Sequence, residues 1–176
     1  LFSGGEPLMR PDIFDLIEHV SKKKMRAVIS TNGTLITKEV AERVKTAGLS
    51  YVGISLDGLE ETNDLFRGVQ GAFQDALAGV RNCLEMGVKV GLRFTMTRSN
   101  YQDVAGILDL IEREGIPRVC FYHLVYAGRG SKLVNSSRMS HEETRATVDL
   151  IMNRTKDLHE RGKPIEVLTV DNHTDG

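Results

Sequence analysis

The sequence predicts an α/β fold, a partial TIM-like barrel of parallel strands with its helices outside. Three observations carry that expectation. Short strand-like runs alternate with apolar stripes at helical spacing, the order that right-handed βαβ crossovers build into a parallel sheet. The strand-like runs are apolar on one side and polar on the other, whereas strands covered by helices on both faces are apolar throughout. Their polar residues gather toward the C-terminal ends, where a barrel presents its ligand-binding rim.

The elements follow in order. After Pro11, the residues Ile13, Phe14, Leu16, Ile17 and Val20 sit at helical spacing, and Lys22, Lys23 and Lys24 fall at the negative end of that helix dipole. A strand is expected over Arg26 to Thr31. Val40, Val44 and Ala47 share the face of a second helix that Gly48 ends. In the next strand, Tyr51 to Leu56, the apolar Val52, Ile54 and Leu56 oppose Gly53, Ser55 and Asp57. Phe73, Ala76, Leu77, Val80 and Leu84 form a helix stripe ended at Gly87. Val88 to Thr97 is again two-sided, with Leu92, Phe94 and Met96 against Gly91, Arg93, Thr95 and Thr97. A helix carrying Val104, Ile107, Leu108 and Ile111 stops at Gly115 and Pro117, and a strand over Val119 to Val125 follows. Ser140 with Glu143 reads as a capping box for a longer helix bearing Val148, Ile151 and Leu158, before a last extended run, Glu166 to Val170.

With 176 residues, 40% of them apolar, the chain is expected to bury one core. Lys+Arg 23 against Asp+Glu 24 leaves a net charge of -1, and Lys22 to Lys24 is its one basic run. That balance lacks the electrostatic footprint of a nucleic-acid or acidic-membrane binder, so a small-molecule or peptide partner is expected. No run approaches the about 18 consecutive apolar residues of a membrane helix, and no secretory leader opens the chain, so the expected location is the cytoplasm. Cys83 and Cys120 lie too far apart for a close-spaced metal site and read as buried small hydrophobes. The opening residues read as the end of a strand, so the chain is expected to be a fragment that lacks an upstream strand.

Leu1-Phe2-Ser3-Gly4-Gly5-Glu6-Pro7 places two glycines directly after that strand end, where the backbone can come close to a ligand. An ordinary turn closed by Pro7 is the alternative, as is the Gly-Gly-acid hairpin of nucleotide cyclases, which Pro7 and the following helix oppose. Ser3-Gly4-Gly5-Glu6-Pro7 resembles the glycine-rich motif of the radical S-adenosylmethionine (SAM) family, which follows the second strand of a six-stranded (β/α)6 partial barrel and binds the methionine amino group. Three more stretches match in order. Ser30-Thr31-Asn32-Gly33-Thr34 is similar to the family's third-strand end, Ser55-Leu56-Asp57-Gly58 to its fourth-strand end, and Arg67-Gly68 to the turn after it. The likeness runs from Leu1 to about Gly130, so residues 1–130 are expected to be the barrel core and 131–176 a final helix and strand leading toward a further C-terminal region.

SAM presents an ammonium, a carboxylate, a sulfonium and a ribose diol. The resemblance implies that Gly4, Gly5, Glu6 and Pro7 serve the ammonium end, and that Ser55 with Arg67 takes the carboxylate. It also places Asn32 and Asp57 at the ribose with Thr31 beside them, while Arg93 and Thr95 point inward near adenosine or substrate. Asp57-Gly58 and Asn32-Gly33 are also common turn pairs, and Arg67 reads equally as a loop cation.

The family's 4Fe-4S cluster is held by three closely spaced cysteines after the first strand, upstream of this chain. Neither Cys83 nor Cys120 replaces them, so no metal ligands are expected here and the piece alone is expected to cleave no SAM. In the full-length enzyme the resemblance implies one-electron cleavage of SAM to a 5′-deoxyadenosyl radical, with a flavodoxin or ferredoxin as electron donor. Phe121 to Gly130 and Leu168 to Gly176 resemble the branch that modifies tetrapyrrole side chains in d1-type haem synthesis and the alternative route to haem. That likeness implies substrate contacts from His123, Tyr126 and Arg129, the last suited to a carboxylate. A peptide- or protein-modifying relative is the alternative within the family. Outside it stand a cluster-free barrel lyase with a phosphate loop at Gly128 and Gly130, and a non-catalytic SAM-binding module.

Overall fold

The computed structural model describes residues 1–123 and 137–170. Five parallel strands, β1 (Val28–Thr31), β2 (Tyr51–Ser55), β3 (Val90–Met96), β4 (Arg118–His123) and β5 (Glu166–Val170), form one sheet in the order β1-β2-β3-β4-β5. A doubly wound sheet reverses its order at a switch point, and this one never does. Crossovers of one hand moving steadily in one direction put every connecting helix on the same face, which is the wall of a barrel. Phe2 extends that wall on the β1 side, donating to Val28 O at 2.8 Å and accepting from Ser30 N at 2.9 Å.

The helices are α1 (Ile13–Lys22), α2 (Lys38–Thr46), α3 (Glu60–Arg67), α4 (Ala72–Glu85), α5 (Val104–Glu114) and α6 (His141–Glu160), with short 3₁₀ turns at Pro7–Met9 and Tyr101–Asp103. Ser140 and Glu143 make the expected reciprocal capping box at the start of α6. Pro11 lies outside α1, which starts at Ile13 behind Asp12. Leu124 and Val125, expected at the end of the fourth strand, lie outside the described residues.

Helix α3 is the element that periodicity does not announce. Its one buried residue is Asn63, while Leu65 and Phe66 face solvent. An eight-residue helix with a polar anchor and exposed apolar side chains carries no stripe to read. Arg67 and Gly68 therefore are not a turn after β2 but the C-terminus of α3, with Gly68 in the left-handed cap at φ 66.

The two sheet faces divide as expected. Ile29, Val52, Ile54, Val90, Leu92, Phe94, Met96, Val119 and Phe121 are buried against the helices. Phe94 and Phe121 meet edge-to-face at 5.8 Å. The lumen face carries the in-register rows Ser30, Gly53, Gly91, Arg118, Glu166 and Ser55, Arg93, Cys120, Leu168, with Thr95 and Tyr122 paired one step above the second row. Gly53 and Gly91 make room for large neighbours: a Cβ at Gly53 would lie 2.8 Å from Arg93 Cδ, and one at Gly91 would overlap the Tyr51 hydroxyl.

Candidate functional site

A cavity of about 220 Å³ opens where β1 and β2 end, lined by Asn32, Thr34, Ser55, Asn63, Arg67, Val69, Ala72, Asp75 and Ala76. Three segments build it. The β1 end turns on Asn32, whose Oδ1 accepts from Thr34 N and Thr34 Oγ1, both at 2.9 Å, so the amide's donor end is the one that a ligand meets. Gly33 (φ 82) carries the chain across Ile54 and against α4, where a side chain would meet Ile54 Cγ2 at 2.7 Å. Ser55 ends β2 on the lumen side, and α3 with the first turn of α4 supplies the remaining wall.

Arg67 enters this wall already tied. Its Nη2 donates to Asp57 Oδ2, while Asp57 Oδ1 accepts from Thr95 N at 2.9 Å. The residues around Asp57 are held too: Asn63 Oδ1 accepts from Asp57 N at 3.1 Å, and buried Asn100 donates to Asp57 O at 2.9 Å and Thr95 O at 2.8 Å. Burial pushes the Asp57 carboxyl above the usual range, with Arg67 and the Thr95 amide opposing the rise. Each Asp57 oxygen thus takes one donor of the fold and keeps a second acceptor direction. Within the fold, Asp57 orients Arg67 and joins the β2 and β3 ends.

Glu6 does comparable work on the other side. Its Oε1 accepts from Thr31 Oγ1 at 2.7 Å and Leu8 N at 3.1 Å, and its Oε2 accepts from Asn32 N at 2.8 Å. Thr31 lies on the helix-covered face and also receives Gly33 N at 3.0 Å, so it braces the loop from behind rather than lining the cavity. Gly4, at φ 128, adopts a conformation that a side chain would strain, and nothing in the protein lies within 4 Å of a Cβ placed on Gly4 or Gly5. Pro7 is buried and starts the 3₁₀ turn that Glu6 caps.

The structure thus gathers Asn32, Ser55 and Arg67 around one cavity, brings Glu6, Thr31 and Asp57 behind them as supports, and leaves Gly4, Gly5 and Pro7 beside the β1 end. Arg93 and Thr95 do not line that cavity; they stand on the lumen face next to Ser55, with Arg93 stacked on Tyr122 at 4.8 Å. His123 ends β4 beside Met96. Tyr126, Arg129, Gly128 and Gly130 lie outside the described residues. Sequence reasoning missed Thr34, Asn63, Asp75 and Asn100; Thr34 and Asn100 stand in the loops that follow β1 and β3, where polarity was the available signal, while Asn63 and Asp75 lie in helices and gave none.

Arg67 and Asp75 give the cavity one cation and one anion, a match for a zwitterionic amino acid, with hydroxyl and amide groups between them. Among the described residues no group of His, Cys, Asp and Glu is placed to hold an ion, and Cys83 is buried in α4 with its thiol pushed up to about 12. No helix among the described residues is long and apolar enough to cross a membrane.

The radical SAM superfamily matches residues 1–125. The Fe-coproporphyrin III synthase of Methanosarcina barkeri is 63% identical over 176 residues, covering 100% of this chain and 44% of that protein. The pre-heme d1 synthase of Dinoroseobacter shibae is 45% identical over 176 residues, covering 99% of this chain and 43% of that protein. The chain therefore spans less than half the length of these two relatives. SuiB of Streptococcus suis bound to S-adenosylmethionine shares the fold at a TM-score of 0.76 and 20% identity, over 97% of this chain and 37% of that one.

Proposed function

The chain belongs to the radical SAM superfamily, and from that premise we propose that the cavity of Asn32, Ser55 and Arg67 takes the amino-acid end of SAM. The observation that supports this reading is Arg67, a guanidinium set in the cavity wall by a buried carboxylate and so oriented before any ligand arrives. The Ser55 hydroxyl shares the ligand carboxylate with it. Asp75, with the free backbone of Gly4 and Gly5, receives the ammonium, and the Asn32 amide faces the ribose. The unbound acceptor direction of Glu6 adds to the ammonium side, since three donors leave a carboxylate room for about one more.

Bound together, SAM and a reduced 4Fe-4S cluster supply hydrogen-atom abstraction from a substrate. The described residues offer no cluster ligands, so this chain's own part is to bind, orient and shield. The full-length enzyme acts on a tetrapyrrole bearing carboxylate side chains and draws electrons from a flavodoxin or ferredoxin. The two synthase relatives support the substrate class.

SAM binding to the full-length enzyme, followed by calorimetry under anaerobic conditions, tests the cavity. Arg67→Gln removes charged hydrogen bonds of ~1.5–3 kcal/mol, so the Kd is expected to rise about tenfold to a hundredfold. An unchanged Kd in Arg67→Gln would reject this site.

A further inference from the structure

We propose that Arg93, stacked on Tyr122 inside the barrel, receives a carboxylate of the substrate one strand away from the SAM cavity. The ligand class rests on the tetrapyrrole reading above; the position rests on the lumen itself. Arg93 is in register with Ser55, a wall residue of the cavity, and with Cys120 on its other side. Neighbouring parallel strands lie about 4.8 Å apart, so a group held by Arg93 sits within reach of whatever occupies the cavity.

The charge pattern around Arg93 points to an anion. Arg67 is neutralised by Asp57 and Arg118 by Glu166, each through a direct ion pair. Among the described residues no such carboxylate partners Arg93, and its guanidinium carbon instead lies 4.8 Å from the Tyr122 ring centroid. The phenols beside it supply no charge near neutral pH. Burial raises Tyr51 and pushes Tyr122 up to about 12, so both stay protonated. A half-buried cation with no counter-ion costs free energy that a bound carboxylate offsets.

The chemistry of a guanidinium held over a ring favours a carboxylate over a generic anion. Stacking occupies the face of a guanidinium and leaves its N–H donors in plane, a fork that fits a carboxylate in two parallel bonds. The arm is aimed by Gly53, since a Cβ there would lie 2.8 Å from Arg93 Cδ and close the channel that the arm follows. With Arg67 committed to the SAM carboxylate, Arg93 is the second cation that a carboxylate-bearing substrate requires.

Coproporphyrin III and its tetramethyl ester, titrated into the full-length enzyme by fluorescence anisotropy, test this. Arg93→Gln is expected to weaken coproporphyrin III at least tenfold, Arg93→Lys by a smaller factor, and neither to change ester or SAM affinity more than twofold. Equal coproporphyrin affinity in wild type and Arg93→Gln overturns the proposal, as does an equal loss for the ester or a parallel loss of SAM binding. Should Arg93→Gln not fold, unchanged affinity in Arg93→Lys, which keeps the charge without the fork, also overturns it. A wild type that binds SAM but no porphyrin removes the tetrapyrrole reading and this role with it, an outcome distinct from failure at Arg93 alone.

Discussion

Gly79→Ala sets helix propensity against packing, and the structure decides between them. Gly79 is buried inside α4, where alanine gains about 1 kcal/mol over glycine from propensity alone. A Cβ at that position would overlap the Gly33 carbonyl oxygen and lie 3.2 Å from Ile36 Cβ. Relief requires a retreat of about 1 Å before ordinary contact is restored. The obstacle is backbone rather than the far end of a flexible side chain, and the Gly33 turn is itself packed against Ile54. Overpacking costs ~1–3 kcal/mol, and a backbone obstacle puts it at about 2–3, so after the propensity gain a net loss of about 1–2 kcal/mol remains. In a chain of this size that lowers Tm by about 2–8 °C. The displaced elements are both walls of the cavity, Asn32 and Thr34 on one side and Ala72, Asp75 and Ala76 on the other, so SAM affinity is expected to fall about tenfold or more. Gly106→Ala in α5 is the matched control. Its Cβ would meet only the end of the Leu59 side chain, which can swing away, so it should be neutral or slightly stabilising with SAM binding unchanged. Thermal melts and calorimetric SAM titration of both variants measure this. A Gly79→Ala protein as stable as wild type with unaltered affinity would refute the claim that α4 and the Asn32 loop are in limiting contact.

Two further outcomes follow from the supports. Glu6→Ala strands the Thr31 hydroxyl and the Asn32 and Leu8 amides, a loss of about 2–3 kcal/mol given partial access to water, so Tm should drop by about 4–12 °C; a shift within 1–2 °C, about the noise of a melt, would contradict it. Glu112 accepts from Arg161 at 2.6 and 3.0 Å and from Lys163 at 2.8 Å, which hold its carboxyl down at about 2. A carboxylate depressed by folding stabilises above its unfolded value of ~4.3 and loses that contribution as pH falls through the folded value. Denaturation midpoints at about pH 7 and about pH 3 should therefore differ less in Glu112→Gln than in wild type, and the gap should shrink in high salt; equal pH dependence would rule the contact out as a source of acid sensitivity.

The sheet was legible because each strand repeats one rule. Val52, Ile54, Leu92 and Phe94 alternate with Gly53, Ser55, Arg93 and Thr95, and period two places those sets on opposite faces whatever the tertiary detail. The cavity was legible at Asn32, Ser55 and Arg67 through the resemblance of their motifs to those of the radical SAM family rather than through periodicity. What the pattern could not assign was direction. Thr31 and Asn32 are adjacent, yet one braces the loop from the helix side and the other meets the cavity. Asp57 stands two residues past Ser55 on the same face, but Arg67 reaches it from α3, an element whose buried residue is an asparagine. A contact made by a helix without an apolar stripe leaves no trace in periodicity, so neither the helix nor the ion pair could be foreseen.

That sorting carries a chemical consequence. The acids at the strand ends, Glu6 and Asp57, are the residues that a sequence offers first as acceptors for an ammonium and a ribose, and folding already spends part of the acceptor capacity of each on donors of the protein. The cations follow two patterns: Arg67 is neutralised but oriented, and Arg93 lies over Tyr122 with no counter-ion among the described residues. An oriented, neutralised guanidinium recognises a carboxylate by geometry more than by charge, which suits a zwitterion whose ammonium must be satisfied nearby. A stacked guanidinium with no partner recognises net negative charge, which suits a ligand with more carboxylates than cations. The two arginines, one strand apart, therefore separate a zwitterion from a polyanion by the same physics applied in opposite ways.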